Sequence, residues 1–205
     1  MIPGVVDVVA RYYASKLAAH GATPAGVDWN SEQSQIMRFD QFMGLVNDPG
    51  ASVCDYGCGY GAFLHYLRSK GHVGAYVGFD AAPAMIDAAA ALHASDRLAR
   101  FESARANLAM SDFTVASGLF NVRLATPADE WDEYMKATIL DLASLSRRGF
   151  AFNVLTSESD AGKRRADLFY ADPRQVLDYC LGRWPRRVAL LQDYGLYEFT
   201  VTVKL

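Results

Sequence analysis

The stretch "VCDYGCGYGAF", residues 53–63, constrains the fold more than any other in the chain. A short apolar run ends in three glycines at alternate positions, Gly57, Gly59 and Gly61, and a helical pattern starts directly behind them. Strand, tight glycine turn and helix, in that order, open a βαβ unit whose next strand lies parallel to the first. Glycines so spaced also let the backbone approach a ligand closely. Asp55, at the mouth of the loop, restricts which ligand that can be.

The same alternation runs on. "AYVGFD" (75–80) reads as a second strand and "PAMIDAAAALHA" (83–94) as a helix with Pro83 in its first turn. "ARFES" (99–103) predicts a third strand, "FTVASGLFNV" (113–122) a fourth, and residues 127–147 a long helix. "GFAFNVL" (149–155) is a fifth strand, and "DPRQVLDYCLGR" (172–183) a helix with Asp172 as its cap. Two extended runs, "RVALLQD" and "YEFTVTVKL", flank "YGL" near the end. A connection that short requires an antiparallel pair. Ahead of the glycine loop, apolar spacing predicts a helix over 1–20, broken by "HGATPAG", and another over 32–46 capped by Asn30 or Ser31. The expectation is an α/β fold: a doubly wound, mostly parallel sheet with a C-terminal antiparallel hairpin and an N-terminal helical extension. Residues 1–48 then form the extension and 49–205 the ligand-binding domain, packed as one unit.

Composition narrows the partners. A formal net charge of -3 over 205 residues offers no footprint for a polyanion, so nucleic acid is not expected. The short basic cluster of Arg183, Arg186 and Arg187 around Trp184 and Pro185 reads as a solvated turn. No apolar run reaches the length of a membrane span, and the N-terminal stretch lacks a basic segment and a cleavage site. Cys54, Cys58 and Cys180 form an odd set without a second Cys/His pair, and the four histidines are scattered. Reduced thiols, no metal and a cytoplasmic location are therefore expected.

The loop itself discriminates between ligands. Its spacing is Gly-x-Gly-x-Gly, not the G-x-G-x-x-G of dinucleotide sites. A pyrophosphate at the following helix N-terminus would be repelled by Asp55, whereas a sulfonium or ammonium would be attracted. At an effective dielectric of 20, charges 4 Å apart interact by about 4 kcal/mol before desolvation, enough to decide between the two. Asp80, closing the second strand, is placed to accept hydrogen bonds from a ribose diol.

With those residues in view, "VCDYGCGYG" followed by "YVGFDAAPAMIDAA" resembles the cofactor motifs of the class I S-adenosylmethionine-dependent methyltransferases, over about residues 50–205. The resemblance implies a seven-stranded Rossmann-like sheet and S-adenosylmethionine as cofactor, with S-adenosylhomocysteine as product. It implies that Gly57, Gly59 and Gly61, with Cys58 between them, make room for the methionine portion, and that Asp55 orients its ammonium. Asp80, beside Ala81, would hold the ribose, and Met85 would pack on the adenine. The acid that many relatives carry after the third strand has no clean counterpart in "FESARANLAMSDF", where Asn107 or a backbone carbonyl could serve.

The acceptor side carries fewer signals. Ser117 is expected along the cofactor, with Phe120 and Asn121 beyond it; the N/D-P-P-Y/F segment of base-amine methylating relatives is missing. The long polar stretch 152–173 offers Asn153, Tyr170 and Asp172 for an acceptor pocket, although Asp172 could simply cap its helix and Tyr170 pack on the sheet. From the N-terminal extension, Tyr13 or Tyr12 could lie over the site and Arg38 could reach the cofactor carboxylate. Trp29, Trp131 and Tyr134 read as packing residues. No catalytic base stands out, and a small-molecule acceptor is expected; the alternatives are methylation of RNA or another nucleic acid, and a cofactor-binding partner protein without turnover. The acceptor's identity and the oligomeric state stay open.

Overall fold

The computed structural model describes residues 3–205, so the first two residues of the predicted N-terminal helix lie outside the described residues. That helix, α1, spans Pro3–His20, and α2 spans Glu32–Phe42 with the Ser31 hydroxyl accepting from the Ser34 N–H at 3.1 Å. The alternating part follows as β1 (Val53–Tyr56), α3 (Ala62–Ser69), β2 (Tyr76–Phe79), α4 (Pro83–Leu92), β3 (Ala99–Glu102) and β4 (Ser111–Ala116). It ends with α5 (Ala128–Ser144), β5 (Ser146–Leu155), α6 (Pro173–Arg183), β6 (Val188–Leu191) and β7 (Glu198–Lys204). The strands form one sheet in the order β3-β2-β1-β4-β5-β7-β6, with β7 antiparallel to both its neighbours and the other pairs parallel. The fold expected from the alternation and the terminal hairpin is the fold observed.

Burial on both faces explains why β1 and β2 read as continuous apolar runs. Side chains alternate between two cores. Val53, Tyr76, Phe113, Val115 and Ala151 pack against Phe39 and Phe42 of α2 and Phe63 and Leu64 of α3. Cys54, Tyr56, Val77, Phe79, Phe150 and Phe152 face Trp131, Ile139 and Leu142 of α5 and Val176 and Cys180 of α6. All three cysteines are buried and unpaired. None of the described helices is long and apolar enough to cross a membrane.

One strand differs from its sequence reading. The predicted fourth strand continues to Val122, but β4 ends at Ala116 because Gly118 takes φ +73° and turns the chain. Residues 117–121 become a turn at the carboxyl end of the sheet. The chain leaves β1 toward β2 on one side and returns to β4 on the other, so a crevice opens between the loops that follow β1 and β4. The site is built there.

Candidate functional site

The loop after β1 is held by the neighbouring strand. The Gly57 and Cys58 N–H groups both donate to the Phe79 carbonyl, at 2.7 and 2.9 Å. Gly57 sits at φ +86°, and a Cβ there would lie 2.9 Å from Leu119 of the opposite loop. Asp80 ties the two βα loops together: its Oδ2 accepts from Gly59 N–H and its Oδ1 from Ala82 N–H, both at 2.9 Å. One lone pair on each oxygen is left for a ligand diol.

A cavity of about 100 Å³ lies over this loop. β1 and its loop contribute Asp55, Gly57, Cys58 and Gly59; the end of β2 contributes Asp80 and Ala81, and α4 contributes Met85. Ser117 enters from the β4 loop, and Tyr13 descends from α1. Gly61 is absent from this wall. It starts α3 at φ +82°, and a Cβ there would come within 2.9 Å of the His93 ring, so its constraint is packing between α3 and α4. The Cys58 side chain also points into protein: its Sγ would meet a Cβ at Gly78 of β2 at 2.8 Å. Burial holds that thiol protonated.

The electrostatics centre on two carboxyls. Asp55 is 2% exposed, and burial pushes its pKa up to about 7; the Tyr76 hydroxyl bond pulls it down and the charge of Asp80 pushes it further up. Burial also raises Asp80, against the pull of its two backbone donors. Tyr13 is raised by burial first and then by the charge of Asp28, and its hydroxyl bonds no described residue.

A second cavity of about 430 Å³ adjoins the first. Tyr13, Val27, Trp29 and Gly118 line both. Trp29 is therefore a partition and not core: its indole covers Gly118, where a Cβ would lie 2.3 Å from Cζ2. The Arg38 guanidinium lies over that indole, 3.9 Å from a ring centroid. The expectation for Arg38 is corrected here. It does not line the first cavity; its Nε donates at 2.8 Å to both oxygens of Glu198, its second terminal nitrogen reinforces the pair, and its first donates to the Ser34 carbonyl at 2.6 Å. Glu198 is 160 positions away in sequence, so no local pattern could announce the pairing.

The acceptor-side candidates divide. Asn121 and Tyr170 line the second cavity. Asn121 Oδ1 accepts from Leu155 N–H at 3.2 Å, and the Tyr170 hydroxyl accepts from Arg165 N–H at 2.9 Å. Phe120 does not reach it, being fully buried between Tyr134 and Phe152. Asn153 is fully buried as well; its Oδ1 accepts from Gly118 N–H at 2.6 Å and its Nδ2 donates to Ser117 Oγ at 3.3 Å, so it shapes the turn from beneath. Asp172 caps α6, accepting from Arg174 N–H at 2.8 Å, and faces a separate groove between α5 and α6. Asn107 donates to Glu102 at 3.0 Å and stands outside the first cavity.

Of the other wall residues, Tyr13 is expected over the site from sequence, whereas Gln35, Tyr60, Val6 and Val9 are not and Tyr134 reads as packing. Gln35 of α2 and Tyr60 bond each other at 3.3 Å on the wall of the first cavity, and Tyr134 of α5 closes its floor. Val6, Val9 and Tyr13 of α1 complete the cover. α1 is fastened through Asp28, which accepts from Tyr12 Oη and Lys16 Nζ, each at 2.8 Å, with Arg165 at 3.7 Å. Burial would raise the Asp28 pKa, but these donors hold it below the usual carboxylate range. Among the described residues, no group of His, Cys, Asp and Glu could hold a metal ion.

Comparison with known proteins gives the family and the fold. A family model described as a methyltransferase domain matches residues 29–179. The provisionally named methyltransferase Rv1506c of Mycobacterium tuberculosis (strain ATCC 25618 / H37Rv) is 49% identical over 164 residues, which is 79% of this chain and 98% of that protein. The N-methyltransferase NodS from Bradyrhizobium japonicum WM9, solved with S-adenosylhomocysteine, superposes with a TM-score of 0.67 at 14% identity over 95% of this chain and 97% of that one. The Burkholderia thailandensis 1,6-didemethyltoxoflavin-N1-methyltransferase, solved with 1,6-didemethyltoxoflavin and S-adenosylhomocysteine, gives 0.63 at 17% identity, covering 97% and 89%.

Proposed function

Because the chain belongs to the class I S-adenosylmethionine-dependent methyltransferases, we propose that it methylates a small molecule held in the second cavity, across the boundary formed by Trp29 and Gly118. The observation that carries this reading is the common wall: four residues line both cavities, so a donor in one and an acceptor in the other would meet there.

The residues of the first cavity fit the cofactor. Asp55 keeps one oxygen without a donor, facing a cavity built on glycines, where it would take an ammonium. Asp80 would hold the ribose hydroxyls, and Met85 would pack against the adenine. S-Adenosylmethionine, when bound, supplies an electrophilic methyl group on a sulfonium. What the chain must supply is alignment and dryness. We assign the cover to α1, whose Val6, Val9 and Tyr13 shut the first cavity and which Asp28 fastens in place; α2, whose Phe39 and Phe42 lie in the sheet's own core, belongs with the scaffold. Alignment falls to Trp29, which touches both Arg38 and Gly118, and to the Ser117–Gly118 turn that Asn153 supports. Tyr13 stays a neutral phenol and serves as a hydrogen-bonding group, not as a base.

The experiment is release of S-adenosylhomocysteine from methyl-labelled S-adenosylmethionine over a panel of ring acids, alcohols, amines and RNA. Turnover with a small acceptor that disappears in Asp80→Ala supports the reading. Turnover with RNA alone overturns the small-molecule assignment.

A further inference from the structure

The wall of the second cavity states what chemistry it would welcome. Trp29, Val122, Leu155 and Leu168 make its apolar part. Its two carboxylates are already engaged: Glu198 by Arg38, and Asp28 by Lys16 and Tyr12. The connection between β5 and α6 brings three successive cations, Lys163, Arg164 and Arg165, of which Lys163 and Arg165 line the wall. Arg165 bridges Asp167 at 2.5 Å and approaches Asp28 at 3.7 Å. Among the described residues the Arg164 guanidinium bonds only the carbonyls of Ser157 and Ser159, and it lies 5.7 Å from the Tyr170 ring. Lys163, in the cavity wall, has no ion-pair partner among the described residues. Asp160, nearby on the same connection, accepts the Tyr197 hydroxyl and is not part of the wall. The Tyr170 hydroxyl accepts from Arg165 N–H and donates to no described group.

Resting on the two-cavity reading above, we propose that the acceptor is a flat, largely apolar small molecule bearing an anionic group, a carboxylate or a phosphate. Its body lies against Trp29, and its anion is held by Lys163 and the Tyr170 hydroxyl, Arg165 being committed to Asp167 and Asp28. A cationic acceptor would meet Lys163 and find no uncommitted carboxylate in the wall. The cavity volume of about 430 Å³ suits a molecule of one or two rings.

Ligand-observed NMR on the full chain tests this with benzoate, phenyl phosphate, benzyl alcohol and benzylamine, each with and without S-adenosylhomocysteine. Benzoate or phenyl phosphate is expected to bind about tenfold more tightly than benzylamine, and which of the two wins separates carboxylate from phosphate. Lys163→Gln is expected to lose about fivefold of that binding, and Lys163→Glu to reverse the preference toward benzylamine. The Lys163 side chain bonds no described residue, so neither change threatens the fold. Equal binding of all four probes, or benzoate binding untouched by Lys163→Glu, overturns the proposal. Failure of S-adenosylhomocysteine to bind would strike the donor site instead, while the probe comparison still decides the anion.

Discussion

Tyr76 Oη donates to Asp55 Oδ2 at 2.6 Å, and no other described group donates to that carboxyl. The two side chains lie on one face of adjacent parallel strands, since Val53 is paired with Tyr76 and Asp55 with Gly78. With a single donor and 2% exposure, Asp55 has its pKa pushed up to about 7 by burial. Binding an ammonium there requires the ionised form. Affinity for S-adenosylhomocysteine should therefore rise as the pH passes upward through about 7 and level off above it. Asp55→Asn should flatten that profile and cost about tenfold in affinity, measured by calorimetry on both sides of neutrality. A profile in the variant as steep as in the wild type would contradict this assignment.

The same shift affects folding without ligand. Between the ordinary carboxylate range and about pH 7 the native Asp55 holds a proton that the unfolded chain has released. Its contribution therefore favours the fold at low pH and is lost as pH rises across that window. Asp55→Asn keeps the Tyr76 bond without the buried charge, and should raise the stability of the ligand-free chain above neutrality by about 1–3 kcal/mol. Thermal scans should place this variant several degrees above the wild type at pH 8 and close to it at pH 5.

Gly118→Ala tests the partition. The new methyl would sit 2.3 Å from Trp29 Cζ2, at a backbone angle of φ +73° that alanine resists. Strain and crowding together should cost about 1–3 kcal/mol, and Trp29 must move away from the turn. Tryptophan emission should shift to the red as the Tm falls. Unchanged emission would mean that Trp29 does not rest on Gly118 in solution.

Arg38 and Glu198 fasten α2 to β7, with side chains 8% and 1% exposed. Arg38→Leu leaves an uncompensated buried carboxylate and should cost about 3–5 kcal/mol. Replacing both residues by leucine removes the charge and should recover much of that loss. Chemical denaturation of the two variants checks the order. A double variant no more stable than the single one would count against the pairing as the cause.

The wall of the first cavity was legible in sequence because much of it is local. Asp55, Gly57, Cys58 and Gly59 are successive or nearly so on one strand and its turn, and Asp80 ends the adjacent strand. Backbone spacing carries that information. The second cavity is assembled from α2, the loops after β4 and β5 and the start of β7, segments whose meeting is decided by the packed sheet. Arg38 has the residue type for a carboxylate, but the carboxylate it finds is Glu198 and not a ligand's. Phe120 and Asn153 lie within the expected segments, yet the turn at Gly118 directs one into the core and the other beneath the backbone. Trp29 and Tyr134 look like packing residues in sequence because large aromatic rings serve both purposes.

The most direct measurement is calorimetric titration of S-adenosylhomocysteine into the wild-type chain and into Asp80→Ala. Asp80 joins the two βα loops and presents its remaining lone pairs to the cavity. Micromolar binding by the wild type, weakened about tenfold or more in the variant, is the expected result. Equal affinity in the two proteins, with the variant folded, would contradict a ribose contact at Asp80 and the cofactor placement built on it.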